Sequence, residues 1–193
     1  MEDLAKFLFE AGMLRRTPRS GFEFLGSGRE SVAEHSFRTA LIGYALARKV
    51  EGADADRVLR MCLFHDLHEA RTGDLNYVNK KYVRSDEDAA AKDLARNLSF
   101  AQEYLELHRE TARALTLDAR LASDADQLDM ILSLKENLDR GNDFARQWYP
   151  SVFERLHTDE ARALAQAIWD GDSLRWWLEG DAGWWIHGGR GES

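Results

Sequence analysis

Two stretches of this sequence place histidine beside a carboxylate in apolar surroundings. Glu34-His35 opens a stretch of helical periodicity, and His65-Asp66 follows directly on the apolar run Val58–Phe64. A buried carboxylate is costly unless it is paired or bound to a cation, and neutral imidazole and carboxylate groups suit borderline or hard divalent ions. Asp126 precedes a further apolar run. Together, His35, His65, Asp66 and Asp126 could complete a His2Asp2 metal site with positions open for water or substrate oxygens.

Further acidic residues lie near these candidates. Glu69 comes four residues after His65, which puts both on one side of a helix, although it could simply pair with a surface arginine. Asp74 follows Gly73 and could serve only to shape that turn. Asp126 competes with Asp124 and Asp129, either of which could be a solvated charge or a helix cap.

The elements that must position these residues are predicted to be helices, because apolar residues recur every three or four positions. The predicted helices cover 2–14, 31–50, 54–73, 87–117, 118–140 and 158 to about 169. Ser31 and Glu34 have the spacing of a capping box, so His35 falls in or near the first helical turn. Strand-like alternation is confined to fragments such as 22–24, and 15–28 reads as an arginine-rich loop. The fold class is therefore predicted to be all-α.

Composition narrows the function classes. A chain of 193 residues with 44% hydrophobic and 31% charged residues is expected to form one folded domain. No apolar run approaches the roughly 20 residues of a membrane helix, and the acidic start lacks a signal peptide's basic residues. With Cys62 as the single cysteine, these features predict a cytoplasmic protein without disulfides or a membrane partner. A net charge of −8 argues against a nucleic acid polymer as partner.

Four stretches resemble the HD-domain metal-dependent phosphohydrolases, and within them the branch of the 5′-deoxynucleotidases. They are 14–22, 30–36, 65–74 and 126–131, in the family's order of His, then His-Asp, then Asp, each on a different helix. The resemblance implies that His35, His65, Asp66 and Asp126 bind one divalent metal ion, which could be Mn, Co, Mg, Fe or Zn. It also implies one all-α HD domain over 1–193, with a core at about 13–140 and a helical extension at about 150–187.

The resemblance assigns chemistry to the remaining polar residues. Glu69 would align or deprotonate the attacking water and Asp74 would protonate or polarise the leaving 5′-oxygen, although these two roles could be exchanged. Either Arg19 or Arg16 would clamp the phosphate. The implied reaction is hydrolysis of a small nucleotide substrate, a deoxynucleoside 5′-monophosphate, to nucleoside and phosphate.

Other interpretations stay open at this stage. The chain could act on another phosphate monoester or on a nucleoside triphosphate, or it could be a non-catalytic metal- or nucleotide-binding module. Glu69 and Asp74 favour an enzyme, because a binding module needs only the four metal ligands. The family resemblance implies a homodimer. The five tryptophans after residue 168 are expected in the core or at the dimer contact. These tryptophans are Trp169, Trp176, Trp177, Trp184 and Trp185.

Overall fold

The computed structural model describes residues 1–178, and within that range the chain forms helices and no β-strand. The helices are α1 (Glu2–Ala11), α2 (Phe22–Leu25), α3 (Val32–Ala47), α4 (Ala55–Phe64), α5 (Glu69–Thr72), α6 (Asn79–Tyr82), α7 (Glu87–Leu94), α8 (Ala101–Arg113), α9 (Leu117–Asp139), α10 (Phe144–Phe153), α11 (Asp159–Asp170) and α12 (Arg175–Leu178). A 3₁₀ turn, Gly12–Arg15, follows α1. The all-α prediction is confirmed. Trp184, Trp185 and the end of the predicted extension lie outside the described residues.

Several predicted helix boundaries are wrong. The helix predicted for 54–73 ends at Phe64, because the backbone then tightens to bonds between residues three apart, such as Glu69 N to Asp66 O at 3.0 Å. Glu69 therefore begins a separate helix. The helix predicted for 87–117 is two helices, α7 and α8, since the chain turns at Asn97 with φ +66°.

Helix α10 is absent from the helices predicted by periodicity, and only its end falls in the helical extension expected from about residue 150; it runs through Pro150. Its sequence offers a weak signal, because a glycine and an asparagine precede it and a proline lies inside it. Tertiary packing forms it instead: Ala145 and Val152 are fully buried against the core. The 22–24 fragment likewise forms the short helix α2 instead of a strand.

Helix α9 is the centre of the fold, and α3, α4, α8, α10 and α11 all pack against it. Its residues Leu121, Leu128, Ile131 and Leu134 are fully buried. Full burial of such a side chain contributes roughly 1.5–3 kcal/mol, so packing holds α9 in place far more firmly than helix propensity does. Among the described residues, no helix is both long and apolar enough to cross a membrane.

The start of α3 is fixed by the predicted capping box. Ser31 Oγ accepts a hydrogen bond from the Glu34 main-chain N–H at 3.2 Å, and the Glu34 carboxylate accepts from the Ser31 N–H at 2.7 Å. These bonds satisfy donors that the first helical turn otherwise leaves free. They set the helix to begin at Val32, so His35 lies in its first turn.

Helices α3 and α4 approach each other closely at Gly43. A Cβ built there would lie 2.5 Å from Cys62 Sγ and 3.1 Å from Val58 Cγ1. Such a separation cannot be tolerated without moving a helix, because the core is packed at near-crystalline density. Gly43 therefore permits the packing that brings His35 on α3 close to the end of α4.

We expect Gly43→Ala to destabilise the fold by about 1–3 kcal/mol, the usual scale for overpacking a core. Urea unfolding would measure the loss. Gly12→Ala is the matched control, because a Cβ at Gly12 meets only Arg15 Nη2 at an ordinary 3.6 Å. Equal stability of the two variants would show that α3 and α4 can separate without cost.

Candidate active site

Four side chains from three parts of the fold converge at the end of α4. His35 comes from α3, Asp126 from α9, and His65 and Asp66 from the turn after α4. His35 Nε2 lies 3.2 Å from His65 Nε2, 3.5 Å from Asp66 Oδ2 and 3.2 Å from Asp126 Oδ1. His65 Nε2 lies 3.1 Å from Asp66 Oδ2 and 4.0 Å from Asp126 Oδ1. The structure thus brings together all four residues that the sequence singles out.

The other ring nitrogen of each histidine is held from behind. His65 Nδ1 donates to the Cys62 carbonyl oxygen at 2.7 Å, and His35 Nδ1 donates to Asp129 Oδ2 at 2.6 Å. A carbonyl oxygen can only accept, so a neutral His65 carries its lone pair on Nε2. Both imidazoles are therefore oriented with Nε2 toward the cluster, as histidine ligands of metals are.

The donor set fits a divalent cation. His35, His65 and Asp126 each offer a ligand atom, and these atoms lie within 4.8 Å of one another. Burial and Arg19 lower the pKa of His35, but the hydrogen-bonded Asp126 and Asp129 carboxylates outweigh them and raise it to about 10. A bound cation therefore has to displace a proton from His35. The ligands alone do not select one metal, since histidine and aspartate suit several first-row ions as well as Mg²⁺.

Asp129 has a supporting role that sequence reasoning missed. Its second oxygen, Oδ1, accepts from Arg38, which also donates to Glu136 at 2.9 Å. Asp129 is buried and sits between His35 and Arg38, so it positions the imidazole. The signal was in the spacing, because Arg38 and Asp129 each lie one helical turn after a cluster residue, His35 and Asp126.

Asp124 is turned away from the cluster. Its carboxylate accepts from the His157 N–H at 2.6 Å, the Thr158 N–H at 3.0 Å and Thr158 Oγ1 at 2.6 Å. These bonds tie α9 to the start of α11. Among the candidate aspartates on α9, Asp126 alone has an oxygen facing both histidines.

Two further acids line a cavity next to the cluster. Glu69 is buried, and its Oε2 has no hydrogen-bond partner. Burial, together with Asp66 and Asp74, raises the pKa of Glu69 to about 9, and a divalent cation beside it would lower that pKa again. Asp74 accepts from the Ser20 main-chain N–H at 2.9 Å, just beyond Gly73, whose φ of +70° turns the chain.

Arg19 enters the cavity and Arg16 does not. Arg19 Nη1 lies 3.3 Å from Asp66 Oδ2 and 3.7 Å from Asp74 Oδ2, and its Nη2 lies 3.6 Å from Asp126 Oδ1. The loop is anchored by main-chain bonds across 17–32, such as Arg19 N to Glu30 O at 2.9 Å. Arg16 is exposed and is not part of the cavity wall, so Arg19 is the better placed of the two candidates to meet a phosphate in the cavity.

The fold and site define an all-helical domain with a candidate divalent metal centre, flanked by an arginine and two acids. The chain belongs to the HD domain family, whose model matches residues 11–169. This confirms the resemblance drawn from its four motif stretches.

Relatives extend the comparison. The chain is 32% identical to "5'-deoxynucleotidase HDDC2" of Bos taurus over 146 residues, 72% of this chain and 70% of that protein. It is 27% identical to the Xenopus laevis protein of that name over 177 residues, 88% of this chain and 87% of that one. A Pyrococcus furiosus structure, "Conserved hypothetical protein", matches with TM-score 0.72 and 32% identity, covering 85% of this chain and 98% of its own. A "Predicted metal-dependent phosphohydrolase" from Magnetospirillum magnetotacticum matches with TM-score 0.68 and 28% identity, covering 88% and 93%.

We expect Asp126→Asn and Asp124→Asn to affect different properties, metal affinity in the first variant and stability of the fold in the second. Asp126→Asn should lower metal affinity while leaving the fold intact, because it removes a charged candidate ligand. Asp124→Asn should cost roughly 1–3 kcal/mol of stability, because it disturbs a buried cap, with metal affinity retained. Metal titration and urea unfolding of both variants would check this. Full metal binding by Asp126→Asn would remove Asp126 from the ligand set.

Proposed function

We propose that this chain is a metal-dependent phosphohydrolase that converts deoxynucleoside 5′-monophosphates to nucleosides and inorganic phosphate. One observation carries the proposal: Arg19, Glu69 and Asp74 line the same cavity as Asp66 and Asp126 of the candidate metal cluster. That arrangement brings together an arginine that can bind phosphate, a candidate metal site and two acids for proton transfer. The relatives named 5'-deoxynucleotidases support the substrate class.

His35, His65, Asp66 and Asp126 would hold one divalent ion, of Mn, Co, Mg, Fe or Zn. When bound, such an ion supplies Lewis-acid stabilisation of phosphate oxygens and acidifies water. Arg19 makes its nearest charged contacts with three carboxylates. A cation shared by two of those carboxylates would leave guanidinium N–H groups free to donate to the phosphate.

The two cavity acids divide the proton transfers. Glu69, with one oxygen unpartnered, is the group free to align a water and take its proton. Its raised pKa means that it becomes an effective base only when a nearby cation favours its ionised form. Asp74 is held in place by a hydrogen bond from the Ser20 N–H, and its role is to protonate or polarise the leaving 5′-oxygen.

Replacing either acid by its amide should separate chemistry from metal binding. Glu69→Gln and Asp74→Asn should each lower kcat on deoxynucleotides by about 10²-fold or more, the scale expected for a positioned acid or base. Metal content, measured by elemental analysis, should stay near that of the wild type. On p-nitrophenyl phosphate, whose leaving group needs no proton, Asp74→Asn should recover activity and Glu69→Gln should not.

Two results would count against this mechanism. Wild-type turnover by both amide variants on every substrate would favour a metal-containing binding module. A wild-type enzyme that prefers another phosphate monoester, or a nucleoside triphosphate, over all deoxynucleoside monophosphates would change the substrate class.

The substrate is proposed to be a free nucleotide in the cytoplasm. A net charge of −8 disfavours a nucleic acid polymer. The buried Cys62 is a free thiol, in keeping with a reducing compartment.

We also propose that the chain forms a homodimer through α3. Phe37, Leu41 and Tyr44 lie at intervals of four and three residues on one face of that helix and are 65%, 54% and 41% exposed. Residues at this spacing line up along the helix, so they form a continuous apolar stripe. A two-fold axis would pair the stripe with itself.

Leu41→Glu should weaken the dimer at least about tenfold, because it buries a charge in the proposed contact. Sedimentation over a range of protein concentrations would measure the change. Leu115→Glu is the control, since Leu115 is 71% exposed and lies in the connection between α8 and α9, not on α3. A wild-type monomer at micromolar concentration, or a Leu41→Glu dimer of unchanged affinity, would contradict the proposal.

A further inference from the structure

Arg155 is an arginine of the cavity wall without an acidic partner. Arg19 lies near three carboxylates, whereas Arg155 makes no ion pair within the described part of the chain. Its guanidinium lies 4.7 Å from the centre of the Tyr77 ring, and its Nη1 donates to Tyr77 Oη. The guanidinium therefore lies beside the hydroxyl edge of Tyr77, and its other N–H groups make no hydrogen bond to residues 1–178.

Gln127 connects this arginine to the candidate metal cluster. Gln127 Oε1 accepts from Arg155 Nη1 at 3.4 Å, and Gln127 Nε2 donates to Asp126 Oδ2 at 2.8 Å. Asp126 Oδ1 faces the histidines. Arg155 is thus placed at a defined position relative to the cluster, although it lies 29 residues further along the chain.

The cavity wall carries two chemically different sets of side chains. Arg19, Asp66 and Asp126 suit a phosphate and a cation, whereas Tyr77, Trp148 and Arg155 offer aromatic faces and N–H donors. The cavity volume of about 160 Å³ is below the roughly 300–1,000 Å³ of pockets that enclose a drug-sized ligand. A nucleotide held by its phosphate would therefore reach the rim, where Tyr77 is 50% exposed.

We propose that Tyr77 and Arg155 form the nucleobase site and that Arg155 favours guanine over adenine. This inference rests on the nucleotidase function proposed above. Guanidinium groups only donate, and guanine presents two neighbouring acceptors, O6 and N7, that match the planar fork. Adenine carries an amine donor in place of O6 and loses one of the two bonds. Tyr77 and Trp148 supply aromatic faces for the ring.

The test compares kcat/KM of the metal-loaded enzyme on dGMP, dAMP and 2-deoxyribose 5-phosphate, which has the phosphate and sugar without a base. The wild type should prefer dGMP to dAMP and both to the baseless ester. Arg155→Ala should lower the ratio of dGMP to dAMP by about tenfold, the lower part of the range for a bidentate arginine–base contact. Arg155→Lys, which keeps the charge and loses the fork, should restore little of that ratio.

A matched control is Arg146→Ala, because Arg146 is an exposed arginine of α10 that does not line the cavity. It should keep the wild-type ratios. Tyr77→Phe should retain the preference for nucleotides over the baseless ester, and Tyr77→Ala should reduce it, since only the former keeps the aromatic face.

Three outcomes would overturn the base site. The first is an equal loss by Arg155→Ala on all three substrates, which would place Arg155 with Gln127 in the support of Asp126. The second comes from an additional assay on dGTP: a loss of activity confined to that substrate would assign Arg155 to a further phosphate. The third comes from calorimetric binding of dGMP and dAMP to Glu69→Gln, with and without Arg155: equal affinities would refute the inference even where hydrolysis is absent. Failure of hydrolysis with intact base discrimination would instead refute only the proposed reaction.

Discussion

The close approach of two imidazoles and two carboxylates is the constraint on which the rest of this structure depends. With His35 Nε2 and His65 Nε2 3.2 Å apart in a buried place, their lone pairs and the neighbouring carboxylates repel unless a proton or a cation lies among them. Hydrogen bonds to the far side of each ring hold this geometry in place: Asp129 binds His35 Nδ1, and the Cys62 carbonyl oxygen binds His65 Nδ1. Such support makes the cluster a preformed candidate site for a cation.

The helices serve that cluster in distinct ways. The capping box sets where α3 starts and hence the position of His35, while Gly43 lets α3 approach α4 and its terminal His65. Helix α9 supplies Asp126 from the centre of the core, and Asp124 on the same helix ties it to α11. Two aspartates separated by one residue thus have different roles: Asp126 faces the candidate cation site, and Asp124 holds α9 against α11.

Local signals explain what could be predicted from the sequence. Helical periodicity gives the fold class, and the Ser31-to-Glu34 spacing places His35 in the first turn of α3, because both depend on residues that are near neighbours in the chain. The tightened turn after Phe64 and the break at Asn97 were missed, since apolar spacing continues through each of them. Helix α10 was missed for the opposite reason: its local sequence is a poor helix former, and burial of Ala145 and Val152 decides its conformation.

Long-range contacts decide those features of the site that could not be predicted from the sequence. Arg16 and Arg19 are equivalent by residue type, and only the pairing of their loop with Glu30 and Val32 turns Arg19 inward.

The charged groups around Arg19 and Arg155 differ, and they give the two arginines different uses. Asp66, Asp74 and Asp126 each have a carboxylate oxygen 3.3–3.7 Å from the Arg19 guanidinium, so Arg19 already has charged partners in the cavity. Arg155 has no such acids to neutralise, and its donors stay available to an acceptor that carries no charge, which is what a nucleobase presents.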